Sequence, residues 1–159
     1  MAKALKVHTL RGREVFVDGY NVLITTESLL EGFPVYLCDD GFLRDTRGFF
    51  RSYKASRITF CAFSEILDLL AAAGPDRVEL LLDQQISRSG ELANEVRGLM
   101  AERDLPGVAM TARDVDHRLK TCGYIVASSD GNVIDAASSA IDLPAEIAAR
   151  LCISPLLPD

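Results

Sequence analysis

Aspartate follows almost every stretch of this chain that reads as a buried strand. EVFVDGYNV runs through Val15-Phe16-Val17 and stops on Asp18. LLLDQQ stops on Asp83, TARDVDHRLK places Asp114 and Asp116 just beyond the apolar run GVAMT, and VASSDGNVID carries Asp130 and then Asp135. If these strands are parallel, their carboxyl ends share one edge of the sheet, where open α/β folds bind ligands, and acids far apart in sequence converge. Carboxylates gathered in this way repel one another until a proton or a cation offsets them. An all-oxygen donor set suits a hard divalent ion, Mg²⁺ or Mn²⁺. Taken singly, each acid has a plainer reading. Asp18 or Asn21 can cap the helix that follows, with Gly19 permitting the backbone angles of a sharp exit.

The elements needed to position these acids are legible as alternating patterns. Apolar runs at Arg77 to Leu82, Gly107 to Thr111 and Tyr124 to Ser128 read as strands, with a weaker one at Ala140 to Leu143. Between them, Ser56 to Ala73, Gly90 to Arg103, Arg113 to Thr121 and Asn132 to Ser138 have helical length or spacing. Strands alternating with helices imply parallel pairing through helical crossovers. The expected fold is a three-layer, Rossmann-like α/β domain over residues 1–159, with a mainly parallel central sheet. PVYLCDDGFLRDT, Pro34 to Thr46, interrupts the alternation: two apolar runs flank Asp39-Asp40-Gly41, which predicts a small β-hairpin insertion. SPLLPD at the C-terminus reads as an apolar tail laid on the domain.

Composition narrows the function. The 159 residues are 48% hydrophobic and 25% charged, ordinary for a folded domain. Four cysteines without a C-x-x-C pair read as reduced, buried thiols of a cytoplasmic protein, and no apolar run approaches membrane-spanning length. His8 and His117 are the only histidines, too few for a zinc site without nearby cysteines. Ser128 and Ser129 have no evident base beside them, so a serine nucleophile is not expected. The Gly-x-x-x-x-Gly-Lys and Gly-x-Gly-x-x-Gly phosphate loops are absent.

The net charge of −6 argues against broad, nonspecific polyanion binding, yet positive charge is concentrated in FLRDTRGFFRSYKASR. There Arg44, Arg47, Arg51, Lys54 and Arg57 alternate with Phe42, Phe49, Phe50 and Tyr53. Such a segment can hold a single nucleic-acid strand through phosphate contacts and base stacking, or it can be a solvated face with its aromatics turned inward.

VFVDGYNVL, DVDHRLK and IVASSDGNVID, in that order, resemble the PIN-like nucleases, particularly the NYN branch. In that branch one strand ends in Asp-Gly-x-Asn and a late strand ends in Ser-x-Asp before another Asp. The chain is similar more closely to DUF5616, an archaeal and bacterial family of PIN-like proteins often associated with DUF434, through DGYNVL, VYLCDDGFLRDTRG and LLDQQISRSGELA. The likeness runs from about Arg13 to Asp142.

This resemblance implies a metal-dependent nuclease acting on RNA, with one or two Mg²⁺ or Mn²⁺ ions activating water for attack on a phosphodiester. It casts Asp18 as the first ligand and Asn21 as the group that orients it or a metal-bound water. Asp116 matches the central acid, with Asp114 its substitute if the register slips by two; Asp130 matches the late-strand acid and Asp135 the one after it. Asp135 follows Asp130 by five residues, which turns it away from a site facing a regular helix. Asp83 sits at a less standard position, as a ligand or as the start of an anion-binding turn with Gln84, Ser87, Arg88 and Ser89. Arg88, or the cluster Arg44, Arg47, Arg51 and Lys54, would neutralise phosphates. The same fold also suits a noncatalytic RNA- or nucleotide-binding module, or hydrolysis of a small phosphate ester. The oligomeric state is left open, a homodimer included.

Overall fold

Period-two alternation in the strands builds a core on each face of one sheet. A computed structural model describes residues 4–47 and 52–157. Its elements are, in order, β1 (Ala4–Leu5), a 3-10 turn (Val7–Leu10), β2 (Glu14–Asp18), α1 (Gly19–Glu31), β3 (Val35–Leu37), β4 (Leu43–Asp45) and α2 (Arg57–Ala73). There follow β5 (Arg77–Asp83), α3 (Ser89–Glu102), β6 (Gly107–Ala112), α4 (Val115–Thr121), β7 (Ile125–Ala127), α5 (Gly131–Ala136), β8 (Ser139–Ile141) and α6 (Leu143–Arg150).

The six-stranded sheet has the order β1-β8-β7-β2-β5-β6, and every pairing in it is parallel. Val15, Val17, Val78, Leu80, Leu82, Ile125 and Ala127 face one core, shared with α1, α2, α3 and α6. Their alternate neighbours Phe16, Leu81 and Val126 face a smaller core under α4 and α5. Strands apolar on both faces are what a parallel sheet sandwiched between helices requires, so the three-layer α/β expectation describes this molecule. Each fully buried leucine or valine contributes roughly 1.5–3 kcal/mol. No helix among the described residues is long and apolar enough to cross a membrane.

Strand order reverses direction beside β2. The chain passes from β2 to β5 and β6 on one side, then crosses to β7 and β8 on the other. The carboxyl ends of β2 and β7 therefore flank a topological switch point, the place where doubly wound sheets open a crevice.

The insertion at 34–46 is an antiparallel hairpin of β3 and β4. Its Asp39-Asp40-Gly41 tip closes through Gly41 in the left-handed region (φ 85°) and through Phe42 N–H donating to Asp40. The C-terminal tail does reach this hairpin. Leu156 pairs with β3 by backbone hydrogen bonds, although the Leu156 and Leu157 side chains remain exposed.

Several local expectations need correction. α4 begins at Val115 rather than Arg113, because Asp114 takes the N-cap and accepts from His117 N–H. The stretch Ala140 to Leu143 is only partly strand. β8 stops at Ile141, and Asp142 caps α6 through Ala145 N–H, with Pro144 in the first turn. Asp-Leu-Pro-Ala-Glu is a readable helix start, and it was the signal for this helix. The cysteines are unpaired, but they are not buried: Cys38 and Cys122 are partly exposed and Cys61 and Cys152 are exposed. Cys61 lies on the outer side of α2, and Cys152 follows α6 in a left-handed turn.

Candidate functional site

Asp18 ends the central strand β2 and stands at the N-cap position of α1, yet its side chain makes no capping hydrogen bond there. Its carboxylate instead turns towards the end of β7, where Ser128 Oγ donates to Asp18 Oδ2 at 2.9 Å. The same Oγ accepts from Asp130 N–H at 3.0 Å, so one buried hydroxyl ties two of the predicted acids into one unit. Asp18 is only 8% exposed. Burial pushes its carboxyl up to about 7, partly offset by the Ser128 hydroxyl and reinforced by the negative charges of Asp116 and Asp130.

A cleft of about 350 Å³ opens over this unit, lined by Asp18, Asp83, Asp116 and Asp130 together with Asn21 and Tyr20. Four carboxylates, from the ends of β2, β5 and β7 and the start of α4, thus share one concavity, and among the described residues no lysine or arginine lines it. Asp116, at the open lip on α4, is raised as well, first by its partial withdrawal from water and next by Asp130. Asp83 accepts from Gln85 N–H at 2.8 Å, and Asp130 caps α5 through Asn132 N–H at 2.9 Å. Tyr20, buried beneath the cleft, has its phenol pushed up to about 12 by burial and by the charge of Asp83.

The other predicted residues are placed elsewhere or differently. Asp114 is the α4 cap and Asp135 lies exposed on α5; neither is among the residues that line the cleft. Asn21 does line it, but its amide oxygen accepts from Ser129 N–H (2.8 Å) and Ser129 Oγ (3.1 Å). Asn21 thereby pins the loop that carries Asp130.

Arg44 serves the same loop. Its Nε donates to Ser129 O at 2.8 Å while its two terminal nitrogens grip Asp40 at 2.9 and 2.6 Å. The hairpin is thereby a brace for the β7–α5 turn, and buried Asp142 holds it from behind by accepting from Leu43 N–H at 2.7 Å. Arg47 folds back onto α1, donating to Ser28 Oγ at 2.9 Å, lying 3.5 Å from Glu31, and stacking 4.5 Å above the Phe33 ring. Neither guanidinium faces the cleft. Lys54 and Arg88 line a second concavity, described below. Arg51, with Phe49 and Phe50, lies outside the described residues.

Ser128 was passed over in the sequence because it was judged only as a nucleophile. The available signal was positional: it is the first residue after β7, where a side chain can reach across to the end of the neighbouring β2. Ser128→Ala should remove the donor that favours ionised Asp18, raising that carboxyl further. Mn²⁺ binding should weaken by about tenfold, the order seen when a ligand loses its supporting hydrogen bond. Calorimetric titration at neutral pH checks this, with Ser129→Ala as the comparison.

Among the described residues, no three His, Cys, Asp or Glu side chains stand close enough together to share one ion. The chemistry of the donors nonetheless fits a hard cation. They are all carboxylates, in a cleft that no positive side chain among the described residues lines, and Mg²⁺ commonly binds through one or two carboxylates with waters filling its other positions.

No solved structure matches this chain. A curated relative, "Uncharacterized protein MJ0935" of Methanocaldococcus jannaschii, is 33% identical over 132 residues, covering 83% of this chain. The matched region is 62% of that relative's own length. A family model described as "Domain of unknown function (DUF5616)" matches residues 7–146, nearly the entire sheet with its helices and hairpin. The chain belongs to the DUF5616 family.

Proposed function

We propose that this protein is a Mg²⁺- or Mn²⁺-dependent nuclease of the PIN-like class that hydrolyses RNA phosphodiesters. The observation that carries the reading is the meeting of Asp18, Asp83, Asp116 and Asp130 in one cleft at the switch point of a parallel sheet, with no cationic side chain among the described residues lining it. Asp18, Asp116 and Asp130 are the residues that would hold the ion, one or two of them directly and the rest through its bound waters. A bound divalent ion supplies a deprotonated water near neutral pH and offsets charge on the phosphate.

The chain's own groups do the rest. Ser128 fixes the orientation of Asp18 and, through Asp130 N–H, the approach of the loop. Asn21 and Arg44 hold that loop from two sides. Asp83, which accepts from Gln85 N–H, would take up a proton or order a water. Four unpaired cysteines suit work in a reducing, cytoplasmic compartment.

The test is a panel of end-labelled single-stranded RNA, duplex RNA and DNA, incubated with Mg²⁺, Mn²⁺ or chelator. Cleavage of RNA that requires metal, and that drops by about 10³-fold or more in Asp130→Asn, is the expected result, since removal of one charge-stabilising group commonly costs that much. RNA bound but left intact under every condition would replace the enzyme with a binding module.

A further inference from the structure

The acid cleft has a neighbour. A second concavity of about 550 Å³ lies between the segment 52–55, α2 and the start of α3, and Tyr20 lines both. Its floor is aromatic: Tyr20 meets Tyr53 edge to face with ring centroids 5.4 Å apart, and Phe60 of α2 adds a half-buried ring. Its cations are Lys54 and Arg88. We propose that this second cleft seats the nucleotide next to the phosphate that enters the acid cleft, with Lys54 and Arg88 on its phosphate and its unpaired base over the aromatic floor.

This inference rests on the nuclease reading for what happens in the acid cleft, but the seat itself follows from separate features. A phosphodiester chain entering a concavity lined by four carboxylates meets no positive side chain of the described residues there. The next surface along, joined through Tyr20, supplies two. Lys54 is exposed and has no ion-pair partner among the described residues. Arg88 is held in a left-handed conformation (φ 63°) that projects it from the head of α3, with 77% of its side chain in water. Its partner is Glu91 at 2.8 Å, itself 67% exposed, and an exposed pair of this kind is exchanged for a phosphate at little cost.

The shape of the floor selects the strand. Tyr20 and Tyr53 are only 3% and 8% exposed and back the floor from beneath, so a base must descend between the walls to stack on the half-buried Phe60. A paired base cannot leave its own stack to do so, whereas an unpaired one can, and base–aromatic stacking is a general device for holding single strands. On the α3 wall Glu95 presents a carboxylate that accepts from a base amino group. Adenine, cytosine and guanine carry such a group and uracil does not, so oligouridine should be the weakest homopolymer.

The experiment uses the full chain, a fluorescein-labelled single-stranded RNA of mixed sequence of about 12 nucleotides with a phosphorothioate backbone that slows cleavage, and the same sequence as a duplex. Anisotropy titrations with Mn²⁺ are run across a salt series for wild type and for the double variant Lys54→Gln/Arg88→Gln. Both side chains are exposed, so melting should show the variant folded.

The variant should bind the single strand about tenfold more weakly, and its log–log salt slope should be shallower by about 1.4, for two lost phosphate contacts on a single strand. On unmodified RNA the loss should lie mostly in KM. Wild-type cleavage with a variant that binds and cuts equally well would overturn the seat while leaving the nuclease intact. Binding that depends on Lys54 and Arg88 without any cleavage would uphold the seat and overturn the nuclease. Duplex bound as tightly as single strand, with equal sensitivity to the variant, would overturn the single-strand assignment, and a wild type that binds neither would overturn the whole inference.

Discussion

Asp18→Asn should make the metal-free protein more stable and at the same time abolish its response to metal. Burial raises this carboxyl from an ordinary value of 3.8 to about 7. Between those two values the folded chain keeps a proton that the unfolded chain has released. The group's contribution to stability therefore declines as pH rises from about 4, and above about 7 the ionised carboxylate is fully unfavourable to the fold. Asparagine has no charge to bury and keeps an oxygen that accepts from Ser128 Oγ. At pH 8 in chelator the variant should gain on the order of a few kcal/mol, or about 10 °C in melting temperature.

That gain should shrink as pH falls towards about 3, below both values, where Asp18 is protonated in both states. Saturating Mn²⁺ reverses the comparison. An ion held only by the folded wild type at a hundred times its Kd adds about 2.7 kcal/mol, and the variant should receive none of it. Melting curves at pH 5 and pH 8, with chelator and with Mn²⁺, separate the two effects. A helix-cap role predicts the contrary: asparagine caps as well as aspartate, so stability would barely move. A wild type indifferent to Mn²⁺ would remove the metal site.

Gly19→Ala should lower stability by about 2 kcal/mol and take most of the activity with it, even though alanine is the better helix former. Gly19 opens α1 with an ordinary negative φ, so its purpose is not the unusual backbone angle anticipated for the turn after Asp18. Space is the reason. A Cβ at this position would stand 2.6 Å from Leu82 Cδ2 and 2.7 Å from the backbone oxygen of Leu81. β5 is an interior strand and its carbonyl cannot yield, so α1 must back away.

Overpacking of this kind costs about 1–3 kcal/mol, and more against backbone, which outweighs a helix-propensity gain of about 1 kcal/mol. Asp18 moves with the helix, away from Ser128 and from Asp83 across the cleft. Gly98 in α3 is the internal control: nothing lies within 4 Å of a Cβ there, so Gly98→Ala should stabilise. Urea unfolding of both variants, with Mn²⁺ titration of each, checks the pair. A Gly19→Ala protein as stable and active as wild type would show that α1 is free to slide on β5.

The layers and the acids were readable in one dimension because both are periodic or positional properties. Val15, Val17, Val78, Leu80 and Leu82 alternate with residues of the opposite face, and that alternation alone calls for a sheet covered on both sides. A parallel sheet then sends Asp18, Asp83 and Asp130 to one edge whatever else the chain does. Asp114 and Asp116 could not be separated by such reasoning. Only the start of α4 decides that the first is a cap and the second faces the cleft.

Partner choice across the fold was not readable. Ser128 lies 110 residues from Asp18 and Ser129 lies 108 from Asn21, and no local pattern in the chain records which of many hydroxyls will meet which acid. Arg44 and Arg47 carried positive charge that the sequence left open between a phosphate contact and a solvated face. The folded chain instead offers each of them nearby oxygens, Asp40 and Ser129 for one, Ser28 and Glu31 for the other. Charge is a property of a residue, but whether it faces solvent, a ligand or another side chain depends on distances that exist only after packing. The sequence by itself determined a parallel α/β sheet with aspartates along one edge, since strand polarity and period suffice for that. The tertiary structure decided which of those acids share a cleft, which oxygens take up Arg44 and Arg47, and that a serine and a glycine hold the first aspartate in place.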